Sequence, residues 1–179
     1  APSYAINTIA QFENRFVYTY KTQCRLYLRY IDDIFIIWTD TKQSLLEFIQ
    51  YLNGCTPHFS FTHEISDQSV SFLDTTVQLK DGKLVTDLYC KPTDSHNYLV
   101  YDSAHPQRCK DSVPYSQLLR IRRICSDIHD FDRHAIIFSA FFLKRGYPVQ
   151  LIQEAAIMAR SKDRSLLLKE KDVINEQRD

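Results

Sequence analysis

The stretch Arg29-Tyr30-Ile31-Asp32-Asp33-Ile34-Phe35-Ile36-Ile37-Trp38 sets two adjacent carboxylates between two apolar runs. Upstream, Leu26, Leu28 and Tyr30 alternate with Arg25, Tyr27 and Arg29, the period of two of a half-buried strand. Downstream, residues 34–38 form a β-branched and aromatic run that suits a more fully buried strand. The link between them is short, so the stretch reads as a hairpin with Asp32 and Asp33 at its tip. Two neighbouring like charges resist ionisation away from water. A divalent cation with hard oxygen ligands would relieve that cost. The plain alternative is a solvated turn, since Asp is a common turn residue.

Working outward, residues 1–20 read as a helix, with Ala5, Ile9, Phe12 and Phe16 near helical spacing and Pro2 in the first turn. After the hairpin, at about 24–38, Thr39-Asp40-Thr41 offers caps for a helix over 43–52, which Asn53-Gly54 ends. Residues 59–64 alternate like a strand. Residues 70–79 and 84–89 form a strand pair joined by Asp81-Gly82. Lys91-Pro92-Thr93-Asp94 breaks the pattern, and 95–113, with Pro106, read as an irregular connection.

Beyond Pro114 the pattern turns helical. One helix covers 115–126. A second is capped by Asp130 and stopped by Gly146, and a third starts at Pro148. The fold class is α+β. The expected organisation is a mixed part over 1–94, a connection over 95–113, a helical unit over 114–165 and a charged tail or linker over 166–179.

Composition narrows the function classes. Three glycines and the absence of GxGxxG or GxxxxGK[ST] argue against a glycine-cradled phosphate site. Five widely spaced cysteines without a CxxC support neither a disulfide framework nor a zinc site, and read as reduced thiols of an intracellular protein. No run is long enough to span a membrane, and no signal peptide is seen. The chain has no initiator Met and opens inside an element, which is expected of a fragment. Its net charge is zero, yet residues 13–90 hold 7 Lys+Arg and 10 Asp+Glu, whereas 105–169 hold 12 and 6. An acidic first half and a basic second half suit metal chemistry beside a polyanion. Arg120, Arg122 and Arg123 cluster on the first helix of the basic half. They would contact phosphates, or else form a solvated basic face.

The order of these features resembles the palm and thumb of a reverse transcriptase, and more closely the enzymes of Penelope-like retroelements. The carriers are Arg29-Tyr30-Ile31-Asp32-Asp33-Ile34-Phe35, Ser71-Phe72-Leu73-Asp74, Leu88-Tyr89-Cys90-Lys91-Pro92-Thr93-Asp94, Arg120-Ile121-Arg122-Arg123-Ile124-Cys125-Ser126 and Arg145-Gly146-Tyr147-Pro148. They reach from near the start to about residue 160.

The resemblance implies an RNA-directed DNA polymerase that adds dNTPs to a primer 3′-end by two-metal catalysis, with Mg²⁺ or alternatively Mn²⁺. Asp32 would be the catalytic metal-binding carboxylate, with Asp33 the weaker contributor. Tyr30 would lie near the primer end. Ala1, Pro2, Ser3 and Tyr4 would begin the helix under the incoming nucleotide. Phe72, Leu73 and Asp74 would form a primer grip, and the helices after Pro114 the thumb.

It also implies an RNA template, a DNA primer, and nuclear location in a eukaryote. Fingers and a further metal-binding Asp would lie upstream in the same polypeptide. This chain alone is therefore expected to be inactive. A downstream endonuclease is a further implied partner, but nothing in the chain matches one. No Lys occurs over 53–78 to protonate the leaving pyrophosphate; His58 or His63 could substitute, although His63 also reads as a core-edge residue. The alternatives are a decayed or domesticated nucleic-acid-binding module without catalysis, and a structural domain with no polyanion partner.

Overall fold

The computed structural model describes residues 2–17, 23–58 and 60–169, with side chains from residue 7 onward. The chain is α+β, with helices beside two small antiparallel sheets. Contacts divide it into two units, Ala1–Ser66 and Asp67–Asp179.

In the first unit, α1 (Pro2–Phe12) passes directly into a π-helical segment, Glu13–Val17. The rest of the helix expected up to residue 20 lies outside the described residues. β1 (Cys24–Tyr30) and β2 (Asp33–Trp38) pair antiparallel, with Tyr30 opposite Asp33 and Tyr27 opposite Ile36. α2 (Lys42–Gly54) follows, its first turn capped by Thr41, whose hydroxyl accepts from the Ser44 amide at 3.1 Å. Phe12, Val17, Phe48 and Leu52 make the core. Trp38 stacks on Phe48 at 5.1 Å and spends its indole N–H on the Ser44 hydroxyl at 3.0 Å.

Four expectations for this unit change. The apolar phase of β1 points away from the core: Leu26, Leu28 and Tyr30 are exposed, while Tyr27 packs on the cluster and Arg29 is half-buried. Alternation marks two faces without saying which is inner, and here a buried Glu13 carboxylate draws the polar phase inward. β2 is half-buried rather than fully buried, because a two-stranded sheet covers only one of its faces. Residues 60–66 form no strand, and Phe59 lies outside the described residues. Asn53 takes the place of a neighbouring strand: its side-chain carbonyl accepts from the Phe61 amide at 2.6 Å and its NH₂ donates to the Phe61 carbonyl at 3.1 Å. His63 is exposed instead of lying at a core edge.

In the second unit, β3 (Ser69–Phe72), β4 (Thr75–Lys80) and β5 (Lys83–Leu88) form a meander. The run expected as one strand over 70–79 is broken at Leu73-Asp74, where Leu73 has φ +57°. Asp81 (φ +51°) and Gly82 (φ +72°) make the second turn, the two-residue hairpin that their types favour.

α3 (Gln107–Ile124), α4 (Ile128–Lys144) and α5 (Val149–Arg160) enclose the main core, with a short α6 (Arg164–Leu167) behind them. Leu118, Ile121, Phe131, Phe138, Phe142, Ile152, Ala155 and Ala159 are buried there, together with Leu88 of β5. The meander thus packs with the helices through β5. Residues 170–179, most of the expected tail, lie outside the described residues.

α3 begins two turns before Pro114, correcting the expectation of an irregular connection up to residue 113. Proline removes an amide and crowds the carbonyl four residues back, so it normally opens a helix. Here side chains hold the earlier turns. Lys110 donates to the Ser103 carbonyl at 2.9 Å and lies over the Tyr101 ring. Asp111 accepts from the Tyr101 hydroxyl at 3.0 Å and from Gln107 at 2.8 Å. Pro114 itself is fully buried. The cap of α4 is Asp127, which accepts from the His129 amide at 2.7 Å; Asp130 sits inside the first turn.

Candidate functional site

The β1–β2 turn consists of Ile31 and Asp32, closed by the pair Tyr30 and Asp33. Ile31 has φ +56°, a left-handed conformation that a β-branched residue adopts only under strain. Asp32 therefore occupies the tip, and Asp33 is the first residue of β2. Both are exposed, and among the described residues neither carboxylate takes a hydrogen bond or ion pair. Free, adjacent, hard oxygen donors fit a Mg²⁺ ion that keeps waters and phosphate oxygens in its remaining positions. Tyr30 is exposed beside them. Pro2, Ser3 and Tyr4 lie in α1 with their side chains outside the described residues, as is Ala1 altogether.

The turn is tied back to the helix. Glu13, buried in the π-helical segment, accepts from the Tyr27 hydroxyl at 2.9 Å and from Arg29 Nε at 2.5 Å, both at the same oxygen. Arg29 NH1 then donates to the Ile31 carbonyl at 3.1 Å.

The second group of candidates lies on the β3–β4 turn. Phe72 closes it against Thr75, while Leu73 and Asp74 form its tip. Asp74 meets Arg120 of α3: Nε and NH2 both donate to Asp74 Oδ2, at 3.0 and 2.5 Å. Two sets of sequence candidates are thereby joined, and Arg120 already has an anionic partner. Arg122 is half-buried, donates to the Cys125 carbonyl at 3.5 Å and, among the described residues, has a buried Nε without a partner. Arg123 is exposed, and among the described residues its side chain has no ion pair.

A polar cluster that the sequence reading did not find sits where β5 meets α3 and α4. Asp87 Oδ1 accepts from the Leu88 amide at 2.8 Å, lies 2.9 Å from His134 Nε2, and takes the Cys125 thiol at 3.4 Å. Its Oδ2 takes Arg133 at 2.6 Å. Burial works to raise the Asp87 carboxyl, but the Leu88 amide, His134 and Arg133 outweigh it and hold it below the usual carboxylate range. Burial pushes the Cys125 thiol up to about 12, so it stays a neutral donor. The donor atoms of Asp87, Cys125 and His134 lie close enough for one metal ion. The Arg133 guanidinium on the same carboxylate opposes a cation there, and the cluster reads as a fastening between β5 and the helices. An Asp inside a strand, where its type is disfavoured, was the available signal.

α4, a four-residue turn and α5 follow one another closely. The Gly146 amide donates to the Leu143 carbonyl at 3.0 Å, the Tyr147 amide donates to the Phe142 carbonyl at 3.2 Å, and Gly146 has φ +81°. This is a Schellman stop, sealed by Tyr147 packing on Phe142. The exposed side of α5 carries Gln150, Gln153, Glu154, Ile157 and Met158, while its Arg160 is paired with Asp132. Among the described residues, Arg123, Lys144 and Lys162 are exposed cations without an ion pair.

No helix among the described residues is long and apolar enough to cross a membrane. No curated protein and no solved structure matches the chain. A family model described as an animal helix-turn-helix domain matches residues 97–156, about a third of the chain, a span that takes in α3, α4 and the first part of α5.

Proposed function

We propose that the chain is palm and thumb of an RNA-directed DNA polymerase, with Asp32 and Asp33 supplying part of a two-metal nucleotidyl-transfer site. One observation carries this reading: a strained hairpin tip presents two adjacent exposed carboxylates, Asp32 in the turn and Asp33 opening β2, without a partner among the described residues. Mg²⁺ held there would lower the charge of the reacting phosphates and help activate a primer hydroxyl. The uncovered Leu26, Leu28 and Tyr30 face of a two-stranded sheet suits a hairpin that completes a larger sheet. On this reading the remaining metal-binding carboxylate and the triphosphate-binding fingers come from upstream in the same polypeptide. The substrates are dNTPs on an RNA template with a DNA primer, and the place of work in a eukaryote is the nucleus.

The test is primer extension on an RNA template by the polypeptide that joins this chain to its natural upstream sequence. Incorporation with Mg²⁺ that Asp32→Ala abolishes is the expected result. Incorporation that survives Asp32→Ala, or none from the unsubstituted protein, overturns the reading. The chain by itself is expected to incorporate nothing.

The helix-turn-helix match over 97–156 favours a second reading, a nucleic-acid-binding module without catalysis. It expects salt-dependent duplex binding that Asp32→Ala leaves unchanged, and no incorporation in any context.

A further inference from the structure

Two irregular stretches of backbone in the first unit, the π-helical segment and the left-handed Ile31, are joined by a single side chain. We propose that Glu13 is a positioning residue for the Asp32–Asp33 turn, acting through Arg29. The inference rests on the reading of that turn as a cation site.

Glu13 opens the π-helical segment and is 7% exposed, with its carboxylate directed at β1. π-helical turns are uncommon and occur often at functional sites. Tyr27 and Arg29 sit two apart on β1 and so share a face. Both donate to Glu13 Oε1, which sets Arg29 in one place. The guanidinium is a rigid planar fork, so fixing its Nε also fixes the direction of its NH1. NH1 donates to the Ile31 carbonyl.

That carbonyl belongs to the peptide linking Ile31 to Asp32. Its direction is coupled to ψ of Ile31 and φ of Asp32, and hence to where the Asp32 carboxylate points. A β-branched residue does not stay at φ +56° unless its surroundings compensate. The charge-assisted bond chain Glu13–Arg29–Ile31 supplies such compensation. Glu13 also neutralises Arg29, three residues from the tip, leaving the Asp pair open to a cation. A lysine at position 29 would keep the ion pair but lose the fork that reaches Ile31.

The experiment uses the whole chain, isotope-labelled, with Mn²⁺ as the probe and amide line broadening as the readout. In the unsubstituted chain Mn²⁺ broadens the amides around Asp32 and Asp33, and the Ile31 backbone shifts show the left-handed conformation. In Glu13→Gln and Arg29→Lys, Mn²⁺ binding at the turn is about tenfold weaker, the scale seen when an outer-shell partner is lost. Ile31 leaves the left-handed region, while the Tyr27–Ile36 cross-strand contact persists. Unchanged Mn²⁺ affinity and unchanged Ile31 shifts in both variants overturn the inference and leave the cation reading standing. No broadening at the turn in the unsubstituted chain overturns both. If Glu13→Gln loses the cross-strand contact, Arg29→Lys decides: loss of Mn²⁺ with the hairpin intact supports the inference, and retained Mn²⁺ overturns it.

Discussion

Ile31 is the residue where local preference and structure disagree most. A β-branched side chain at positive φ costs about 1–2 kcal/mol relative to glycine-like freedom. Ile31→Gly is therefore expected to stabilise the hairpin by about 1 kcal/mol in denaturant titration, while weakening Mn²⁺ at the turn. A loss of stability would show that the side chain is packed rather than strained. Gly146 is the opposite case, because φ +81° suits its type. Gly146→Ala places its Cβ 3.9 Å from Tyr101 Cβ, an ordinary van der Waals contact. It should still cost about 1 kcal/mol, read from the thermal midpoint, because alanine must adopt the left-handed stop of α4. Asp87 links a residue to pH. Its folded-state pKa lies below the ordinary value, so the stability it contributes is present above the unfolded pKa and is lost as pH falls through the folded one. Denaturation midpoints should drop as pH is lowered below about 4. Asp87→Ala should remove that part of the dependence and cost about 2–3 kcal/mol by orphaning donors from His134, Arg133 and Leu88.

At the level of elements, the helices of the second unit meet through aromatic and small residues. Phe138 projects from α4 into the core and is 2% exposed, with Tyr98 and His96 against its ring. Phe138→Ala should cost about 3–5 kcal/mol in chemical denaturation, the usual range for a large cavity. A much smaller loss would mean that the site collapses around the smaller side chain. α3 shows how far tertiary contacts override local preference. Its first two turns precede a proline, and they stand because Lys110 and Asp111 are held by Ser103 and Tyr101. Besides the Asp87 cluster, β5 is fastened at Thr86. Thr86 exchanges hydrogen bonds with Ser126 at the end of α3, and Arg164 of α6 reaches the Thr86 hydroxyl at 3.0 Å.

On the scale of the whole molecule, the charge asymmetry bears on the proposed binding of nucleic acid. Duplex binding should weaken with salt in proportion to the phosphates contacted. Arg123→Gln is expected to reduce the slope of log affinity against log salt by about 1. Arg120→Gln should change it less, because Arg120 would have to leave Asp74 to reach a phosphate. Equal effects would show that the Asp74 pair opens on binding. No salt dependence with either would favour a domain without a polyanion partner.

The sequence by itself determined most of the helices, the carboxylate hairpin, the Asp81-Gly82 turn and the Gly146 stop. These depend on spacing and on dihedral preferences carried by a few neighbouring residues. Tertiary structure alone decided which face of β1 turned inward, because a buried Glu13 offered Tyr27 and Arg29 an acceptor that lies 14 and 16 residues away. It decided that Asn53 would bond the Phe61 backbone in place of a neighbouring strand, and that α3 would run through Pro114. It also brought Asp87, Cys125 and His134 together from three elements, a meeting that no periodicity encodes. In each case the outcome turned on a partner outside the element itself, and the periodicity of an element holds no record of such partners.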